Sequence, residues 1–484
     1  MDQSNLVVIM CDQLKSSVLS TPGLIFKPNL DTLFEQSIVF SHAFTPYPVC
    51  VPSRTTFFTG QYSHNTGCRD NSILLNPSIV HLVNVLAHNG YRMGLSGKNH
   101  CFLPSDLGLF EMVYEVGHRG PNVPRDTNEE RLVQFLSQDT ILRGSYASTV
   151  SPFPENQQTT ALVANEAIRF LETSDERPFF LLVSFPDPHP PFQVAESYFS
   201  LYQSEEIRLP QSFRESLNDK PIRQQVARHM FGMTSATEEG MRKVMQVYYG
   251  MVSHIDKEIG RILNFLEQRG LSGNTTVIFT SDHGEYLGEH GLIRKSNALY
   301  DCLTRVPLTI RSPEMKGTLV DDLIETTDVF PTILEVLGIH LTEEQSLSIQ
   351  GRSFYNILED NLDYTPRNMI FGEVGTEGKS PSWEDLKDVP KDPLDSRFVP
   401  WGARQMAWSG KGKMVRTKRW KYVFYSDDRH ELYDITTDPG EMVNLYGQQE
   451  YRHVVEELRY QLLDWCINTE NRSIPRRFVD GLTV

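Results

Sequence analysis

The sequence predicts an α/β fold, with a large, mostly parallel sheet sandwiched by helices and a smaller C-terminal α+β subdomain. Short apolar runs alternate with amphipathic helical patterns through most of the 484 residues. This alternation is typical of a parallel sheet covered on both faces. Beyond about residue 365 the alternation stops. We therefore expect a large α/β domain over residues 1–365 and a subdomain over residues 366–484, with a small antiparallel sheet and a terminal helix.

The large domain contains four apolar runs that predict buried strands, each followed by a polar cluster. They read "LVVIMC", "YRMGLSG", "PFFLLVSFP" and "TTVIFTSD". Between them, "SIVHLVNVLAHNG" and "TALVANEAIRFLETS" have apolar residues at helical spacing, and a longer helix of the same kind ends at Gly270. Ligands of such sheets bind at the carboxyl ends of the strands. The polar clusters there are therefore the first candidates for a site.

The C-terminal part has a different pattern. "SPSWEDLKDVPKDPLDSRFVPWG" is loop-like and rich in Pro and Asp. "KMVRTKRWKYVFYSDDRHELYDI" predicts an antiparallel hairpin with a turn near residues 426–429, and "YRHVVEELRYQLLDWCIN" predicts an amphipathic helix. Together these segments predict the α+β subdomain.

The composition, 39% hydrophobic and 22% charged, is that of a folded soluble protein. The formal net charge of −16 argues against nucleic acid as a partner, although a local group of cations can still hold a small anion. The apolar run of residues 6–11 is too short to span a membrane and lacks the basic flank of a secretory signal. We therefore expect no membrane partner and a cytoplasmic location as the sequence is written, or a periplasmic one if a leader has been removed.

One cysteine, Cys50, lies in the stretch "PYPVCVPSRTTFFTG", where a helix is predicted to begin near Pro52. The chain has six cysteines without CxxC pairs or regular spacing, which argues against a zinc site and against a disulfide framework. Reduced thiols are therefore expected. By themselves these residues leave open whether Cys50 is a free thiol, a zinc ligand, a disulfide half or a nucleophile.

Polar side chains follow each of the four predicted strands. In chain order they are Asp12 and Gln13, Lys98 and His100, His189, and Asp282 and His283 with Lys295 downstream. Each alone has an ordinary structural explanation, because an Asp after a strand is more often a turn or helix cap than a ligand. Together, the oxygens and nitrogens of the first and last groups can hold a hard divalent cation.

Cations and proton carriers accompany this predicted metal site. Lys98, Lys295 and Arg54 can neutralise an oxyanion beside the metal. His100 and His189 have side chains whose usual pKa suits proton transfer near neutral pH. A metal, fixed cations and proton carriers together predict a hydrolase that acts on an anionic ester.

In six segments the chain resembles the sulfatase family of the alkaline-phosphatase-like superfamily. "CVPSR", with "TG" a few residues on, matches the C-x-P-x-R signature, "SGKNH" matches the G-K-x-H element, and "SDHGEYLGEHGL" matches the late metal-binding element. Early "DQ", "PHPPF" and the C-terminal "RTKRWKYVFY" with "ELYDITTDPGEMVNL" also resemble family segments. C-x-P-x-R alone is a weak pattern, whereas six segments in the family's order across nearly the whole chain are specific.

The resemblance implies that Cys50 is oxidised to formylglycine by a separate formylglycine-generating enzyme that reads C-x-P-x-R. It also implies one divalent cation, Ca²⁺ ahead of Mg²⁺ or Mn²⁺, held by Asp12, Gln13, Asp282, His283 and the modified Cys50. A hydroxyl of the hydrated aldehyde would attack the sulfur of a sulfate monoester, in line with the leaving alcohol.

The other roles are also implied by the resemblance. Lys98 and Lys295 would stabilise the sulfuryl oxygens, and His189 would donate to the leaving oxygen. His100 would act as the base that expels the covalent sulfate. Arg54 would orient the diol.

Two departures from the commonest family pattern keep a second reaction open. Gln13 stands where many sulfatases have a second aspartate, and His283 stands where an asparagine is common. Both variants resemble subgroups that include phosphonate monoester and phosphodiester hydrolases. In those hydrolases neutral residues replace the lysine and histidine of G-K-x-H, so Lys98 and His100 favour a sulfate monoester. A third hypothesis, a catalytically silent binder of sulfated ligands, is disfavoured because no catalytic position is lost.

The leaving group is the least defined part of the prediction. Candidate pocket residues come from "SRFVPWGARQMAWSGKGK" and "RDNSI": Arg397, Trp401, Arg404, Trp408 and Asn71. Aromatic and Arg side chains suit an acidic sugar, but each position is equally compatible with an ordinary core, surface or turn role. We expect a small anionic sulfate ester as substrate, with a sulfated saccharide favoured over an aryl or alkyl sulfate.

Overall fold

The computed structural model describes residues 4–137, 148–173, 176–313, 315–359, 364–386 and 409–470. Its strands are β1 Asn5–Asp12, β2 Ile38–Phe44, β3 Arg92–Gly97, β4 Met112–Gly117, β5 Gly120–Pro121, β6 Ser148–Ser151, β7 Phe179–Pro188, β8 Phe192–Ala195, β9 Thr275–Ser281, β10 Arg305–Arg311, β11 Thr318–Glu325, β12 Met369–Val374, β13 Gly412–Thr417, β14 Trp420–Tyr425 and β15 Glu431–Asp434.

The α-helices of these described ranges are Ser16–Ser20, Pro28–Glu35, Cys50–Thr59, Ser63–Thr66, Leu82–His88, Pro104–Leu107, Thr127–Leu136, Thr159–Glu172, Glu196–Phe199, Ile222–Met230, Glu238–Gln268, Asp301–Thr304, Val329–Val336, Glu343–Leu347, Tyr355–Leu358 and Arg452–Thr469. The long helix Glu238–Gln268 stops where predicted. Gly270 has a positive φ of 68°, which a glycine adopts without a steric penalty.

The large sheet has the strand order β11-β2-β10-β9-β1-β7-β3-β4-β5. β1 lies at its centre and pairs in parallel with β7 and β9. β10 runs antiparallel to both of its neighbours, and β5 runs antiparallel to β4. The predicted mostly parallel sheet is confirmed, and these two strands are its exceptions.

Helices cover both faces of this sheet, as the alternating side chains of β1 show. Val7 and Ile9 belong to one hydrophobic cluster, which includes apolar residues of helices Thr159–Glu172 and Glu238–Gln268. Val8 belongs to a separate cluster with residues of helices Cys50–Thr59 and Val329–Val336. Because successive side chains of a strand point to opposite faces, a central strand that is apolar on both faces must be covered on both.

The C-terminal sheet is small and antiparallel, in the order β12-β13-β14-β15. Helix Arg452–Thr469 packs on it through Leu458, Leu462 and Trp465. The predicted antiparallel hairpin with its turn near residues 426–429 is confirmed, and β14 and β15 form it. A second, tighter hairpin, which was not predicted, joins β13 to β14. The division of domains at residue 365 stays a prediction.

None of the helices in the described part of the chain combines the length and the apolar character needed to cross a bilayer.

Candidate active site

Cys50 begins a helix whose residues are all buried, Cys50–Thr59. The helix starts two residues earlier than predicted, because Pro52 lies in its first turn, where a missing N–H costs no helical hydrogen bond. The backbone N–H of Val51 donates to Asn71 Oδ1 at 3.0 Å. Asn71 therefore accepts a hydrogen bond from a backbone N–H that has no partner within the helix, next to Cys50.

Four side chains from three segments converge on one point. Cys50 Sγ lies 3.3 Å from His283 Nε2 and 3.6 Å from Asp12 Oδ1. Asp282 completes the group, and the four candidate ligand atoms all lie within 4.8 Å of one another. We call Asp12, Cys50, Asp282 and His283 the ligand cluster. All four are buried.

The sheet brings these residues together. β1 and β9 are adjacent and parallel, with Cys11 opposite Ser281, so Asp12 and Asp282 leave the sheet at the same edge. His283 is fixed by its other ring nitrogen, since Nδ1 lies 2.9 Å from the carbonyl oxygen of Gly284. A carbonyl can only accept, so the proton of the neutral ring is on Nδ1 and the lone pair of Nε2 is directed into the cluster. This is the tautomer that a metal-binding histidine needs.

Gln13 lies at the border of the ligand cluster. Its backbone has a positive φ of 66°, and its N–H donates to Asp282 Oδ1 at 3.0 Å. Its side-chain oxygen accepts a hydrogen bond from Lys295 Nζ at 2.8 Å, and its amide nitrogen donates to Glu285. The side-chain oxygen of Gln13, which was predicted to be a metal ligand, is thus hydrogen-bonded to Lys295. Its role as a metal ligand stays a prediction.

Three cations surround the cluster. Arg54 is fully buried, and its Nε donates to Asp282 Oδ2 at 2.9 Å while Nη1 donates to Ser184 Oγ at 2.8 Å. Lys98 Nζ is hydrogen-bonded to Asp12, and Lys295 reaches the cluster beside Gln13. The site therefore holds more fixed positive charge than its two aspartates neutralise, which suits an anionic ligand.

These cations change the pKa values of the cluster. Burial raises the pKa of Asp12. Lys98 and two histidines lower it by more than burial raises it, so the pKa lies well below its usual range. For the thiol of Cys50, burial and Asp12 raise the pKa, whereas Lys295, Lys98 and His283 lower it and prevail. Negative charge at the position of Cys50 is therefore stabilised.

His189 and His100 both contact a third histidine, His118. His189 Nδ1 donates to the carbonyl oxygen of Pro190 at 2.7 Å, which leaves Nε2 as its available atom. Its ring stacks on that of His118, with centroids 3.6 Å apart and planes at 17°. His100 lies edge-on to His118 with centroids 6.3 Å apart. No contact in the described part of the chain joins His100 to Cys50, so its role as a base stays a prediction.

His118 is the site residue that sequence reasoning missed. Its Nε2 lies 3.0 Å from Lys98 Nζ and 3.8 Å from Asp12 Oδ2. Burial and the charge of Lys98 hold its pKa well below the usual value, so the ring is neutral. His118 directly follows β4, a strand of the same parallel set, and the rule that polar residues at strand ends form the site would have found it had β4 been identified.

The candidate pocket residues Arg397, Trp401, Arg404 and Trp408 lie outside the described residues. All six cysteines are free thiols, as expected.

Comparison with known proteins assigns the family. The sequence model of the sulfatase family matches residues 4–339, and that of the N-sulphoglucosamine sulphohydrolase C-terminal region matches residues 398–467. An arylsulfatase of Clostridium perfringens is 27% identical over 489 aligned positions, which cover 95% of this chain and 93% of that protein. Iduronate 2-sulfatase of Mus musculus is 26% identical over 527 positions, covering 95% and 93%.

Among solved structures, the phosphonate monoester hydrolase of Agrobacterium radiobacter superposes with a TM-score of 0.75 at 24% identity, covering 96% of each chain. At this identity the likeness establishes the fold alone. The match of the family model over most of the chain establishes more: the chain belongs to the sulfatase family and is an enzyme that acts on sulfate esters.

Proposed function

We propose that the protein hydrolyses a sulfate monoester through a formylglycine derived from Cys50, with one divalent cation, Ca²⁺ in the first instance. The observation that carries this proposal is the position of Cys50 Sγ, 3.3 Å from His283 Nε2 and 3.6 Å from Asp12 Oδ1 within a buried group of potential ligands. Sulfur is a poor ligand for a hard cation, whereas a hydrated aldehyde at the same position offers two hard oxygens.

The residues present fit such a cation. Two buried carboxylates and the lone pair of His283 Nε2 converge within 4.8 Å of one another and of Cys50. Carboxylate oxygens are the preferred ligands of Ca²⁺. When bound, the cation supplies Lewis-acid chemistry, polarising a sulfuryl oxygen and acidifying a hydroxyl.

The surrounding residues would bind and orient the ester. Lys98 and Lys295 would neutralise the sulfuryl oxygens, while Arg54 holds Asp282 in place through the 2.9 Å hydrogen bond. His189 keeps its Nδ1 proton on the carbonyl of Pro190, so Nε2 is the atom available to the leaving oxygen. Burial and neighbouring cations lower the pKa of His189. The negative charge of a bound sulfate would offset these cations and so favour a proton on Nε2.

A phosphonate monoester or phosphodiester hydrolase is the second candidate. The pairs Asp12-Gln13 and Asp282-His283 favour it, because both resemble the variants found in those hydrolases. The hydrogen bond from Lys98 to Asp12 argues for a sulfate, because it places the lysine of "SGKNH" directly in the site.

Two measurements test the proposal. After co-expression with a formylglycine-generating enzyme, the Cys50 peptide should lose the mass difference between thiol and aldehyde. The converted protein should then hydrolyse 4-nitrophenyl sulfate with a higher kcat/KM than phenylphosphonate esters. A higher kcat/KM on the phosphonate would favour the second candidate. A protein that stays unmodified and inactive but retains sulfated ligands would be a binder.

We further propose a sulfated saccharide as the substrate. The saccharide is supported by the similarity to iduronate 2-sulfatase and by the match of the C-terminal region to the N-sulphoglucosamine sulphohydrolase model. A screen of sulfated saccharides, including uronate-containing ones, tests it. The expected result is a kcat/KM above that for 4-nitrophenyl sulfate, and a preference for the aryl ester would contradict it.

A further inference from the structure

Gln193, on β8, is a buried polar residue whose amide oxygen is left unpaired. The residue is 3% exposed, and among the residues that the structure describes this oxygen has no hydrogen-bond partner. Buried polar atoms are almost always hydrogen-bonded, and one left without a partner costs free energy. Gln193 lines a small pocket together with Gly117, His118, Thr159, Asp187 and His189. Its side chain therefore brings an unpaired acceptor to a space of about the size of one hydroxyl group or water.

His118 brings a second unpaired atom to this pocket. The ammonium of Lys98 can only donate, so at 3.0 Å His118 Nε2 accepts from it. In the neutral ring the proton is therefore on Nδ1, and this buried nitrogen also has no partner within the described ranges. The side chain as a whole is 29% exposed. The pocket thus offers a free donor beside the free acceptor of Gln193.

Asp187 adds a carboxyl group to the lining. Its Oδ2 accepts a hydrogen bond from the hydroxyl of Thr160. Burial raises the pKa of Asp187 to about 6, with Thr160 opposing this shift and the charge of Asp12 adding to it. A carboxyl with this pKa is mainly ionised at neutral pH, so Asp187 adds an acceptor, and with His118 the lining of the pocket contains both a donor and acceptors.

The pocket adjoins the catalytic site through one residue. His189 belongs to its lining, and this is the residue assigned to the leaving oxygen. Its ring is held by the 3.6 Å stack on His118. A group that leaves past His189 therefore has this pocket as its immediate neighbour.

We propose that this pocket binds hydroxyl groups of a sugar leaving group, with Gln193 as the residue that selects for them. The inference rests on the proposed sulfatase function and names its substrate class. Hydroxyls both donate and accept, so they match the free oxygen of Gln193 and the free Nδ1–H of His118. A nitrophenyl ring would leave both unpaired, and a site built to bind a hydroxyl discriminates strongly against an analogue without one.

The test uses the converted full-length enzyme and the variant Gln193→Leu, which has similar volume but no polar atoms. The probes are 4-nitrophenyl sulfate and a panel of hexose and hexosamine monosulfates with the sulfate at each ring position. We expect the kcat/KM of the best sugar sulfate to fall at least about 10-fold more than that of the aryl sulfate. We also expect an unchanged or higher Tm, because an unpaired buried amide is removed.

Gln246→Leu provides the matched control. Gln246 is equally buried, but its amide donates to the carbonyl oxygens of Phe199 and Tyr202. This variant should lose stability and leave the ratio of the two kcat/KM values unchanged. Equal losses on both substrates in Gln193→Leu, or turnover of the aryl sulfate without any sugar sulfate, would overturn the inference and leave the sulfatase function standing. Failure to hydrolyse any sulfate would refute the function itself.

Discussion

Two groups of buried charges differ in how completely they are paired. The first is the ligand cluster with its cations. The second, which we call the anchor cluster, consists of Asp301, Arg416, Lys421 and Glu441. In the anchor cluster Arg416 forms a two-pronged contact with Asp301 at 2.9 and 3.1 Å, and Lys421 Nζ lies 2.7 Å from each carboxylate. Two cations and two carboxylates thus neutralise each other.

The ligand cluster lacks this balance. In the described part of the chain, the three cations Arg54, Lys98 and Lys295 surround the two carboxylates of Asp12 and Asp282. A balanced buried group joins the helix Asp301–Thr304 to strands β13 and β14 and holds the structure. An unbalanced one costs stability and is found where a charged ligand binds. Variants in the two clusters should therefore affect different properties.

Cys50→Ala should have the largest effect. Without the precursor of the nucleophile, kcat/KM for 4-nitrophenyl sulfate should fall by at least about 10⁴-fold, as expected when a nucleophile is lost. Cys68→Ala is the matched control, since Cys68 is equally buried in a small apolar group with Val51 and Leu75. It should retain activity and lose only a little stability. Appreciable activity in Cys50→Ala would show that the site is misassigned.

Lys421→Met should affect stability instead. It leaves the carboxylate of Glu441 buried without its cation, so the free energy of unfolding in a denaturant titration should fall by about 3–5 kcal/mol. The kcat/KM of the remaining folded enzyme should change little. Lys418→Met is the control: Lys418 is 53% exposed, 3.1 Å from the exposed Asp321, and its loss should cost less than about 1 kcal/mol. A large loss of kcat/KM in Lys421→Met with normal stability would contradict the contrast between the clusters.

His118→Ala should have an intermediate effect on catalysis. If the ring positions His189 by stacking, kcat should fall about 10- to 100-fold, and more for aryl sulfates whose phenols have a high pKa. His118→Phe keeps a ring for the stack and should recover part of the loss. Steady-state kinetics across a series of substituted phenyl sulfates measures this. An equal loss for every leaving group would argue against a role through His189.

The smallest expected effect is on the pH dependence of stability. Burial alone would raise the pKa of Asp301, but Lys421 and Arg416 hold it well below its usual value. A carboxyl with a lowered pKa stabilises the fold above the pKa of the unfolded chain, about 3.9, and this contribution is lost as the pH falls. The difference in unfolding free energy between the wild type and Asp301→Asn should therefore shrink by about 1 kcal/mol between pH 6 and pH 3. A constant difference would show that Asp301 is not paired as described.

The sequence predicted the class of the fold, and the structure brings together residues from several of the predicted site segments. Asp12 and Asp282 follow apolar runs that could only be buried strands, and Cys50 and Lys98 lie in short motifs. Such signals are local in the chain. His118 was missed because its strand, β4, has only six residues, is interrupted by Glu115 and gives no continuous apolar run. The second turn of the small sheet was missed because Lys418 and Arg419 are not typical turn residues.

Other features depend on contacts between distant residues. The unpaired state of Gln193 and the pairing of Asp301 with Lys421 cannot be inferred from a motif, since each partner is defined by packing. The neighbours of an exposed-looking Gln or Lys in a sequence do not reveal whether it is buried. When such a group is buried, its pairing strongly affects the free energy of folding.

The sequence by itself determined the α/β class, the order of the site segments and the chemical types gathered at the strand ends, because these follow from periodicity and local motifs. Only the tertiary structure decided that Cys50 contacts Asp12 and His283, that His118 stacks on His189, and that one buried charge group is balanced while the other is not. The physical reason is that distances between strand ends and the completeness of charge pairing are set by sheet order and packing.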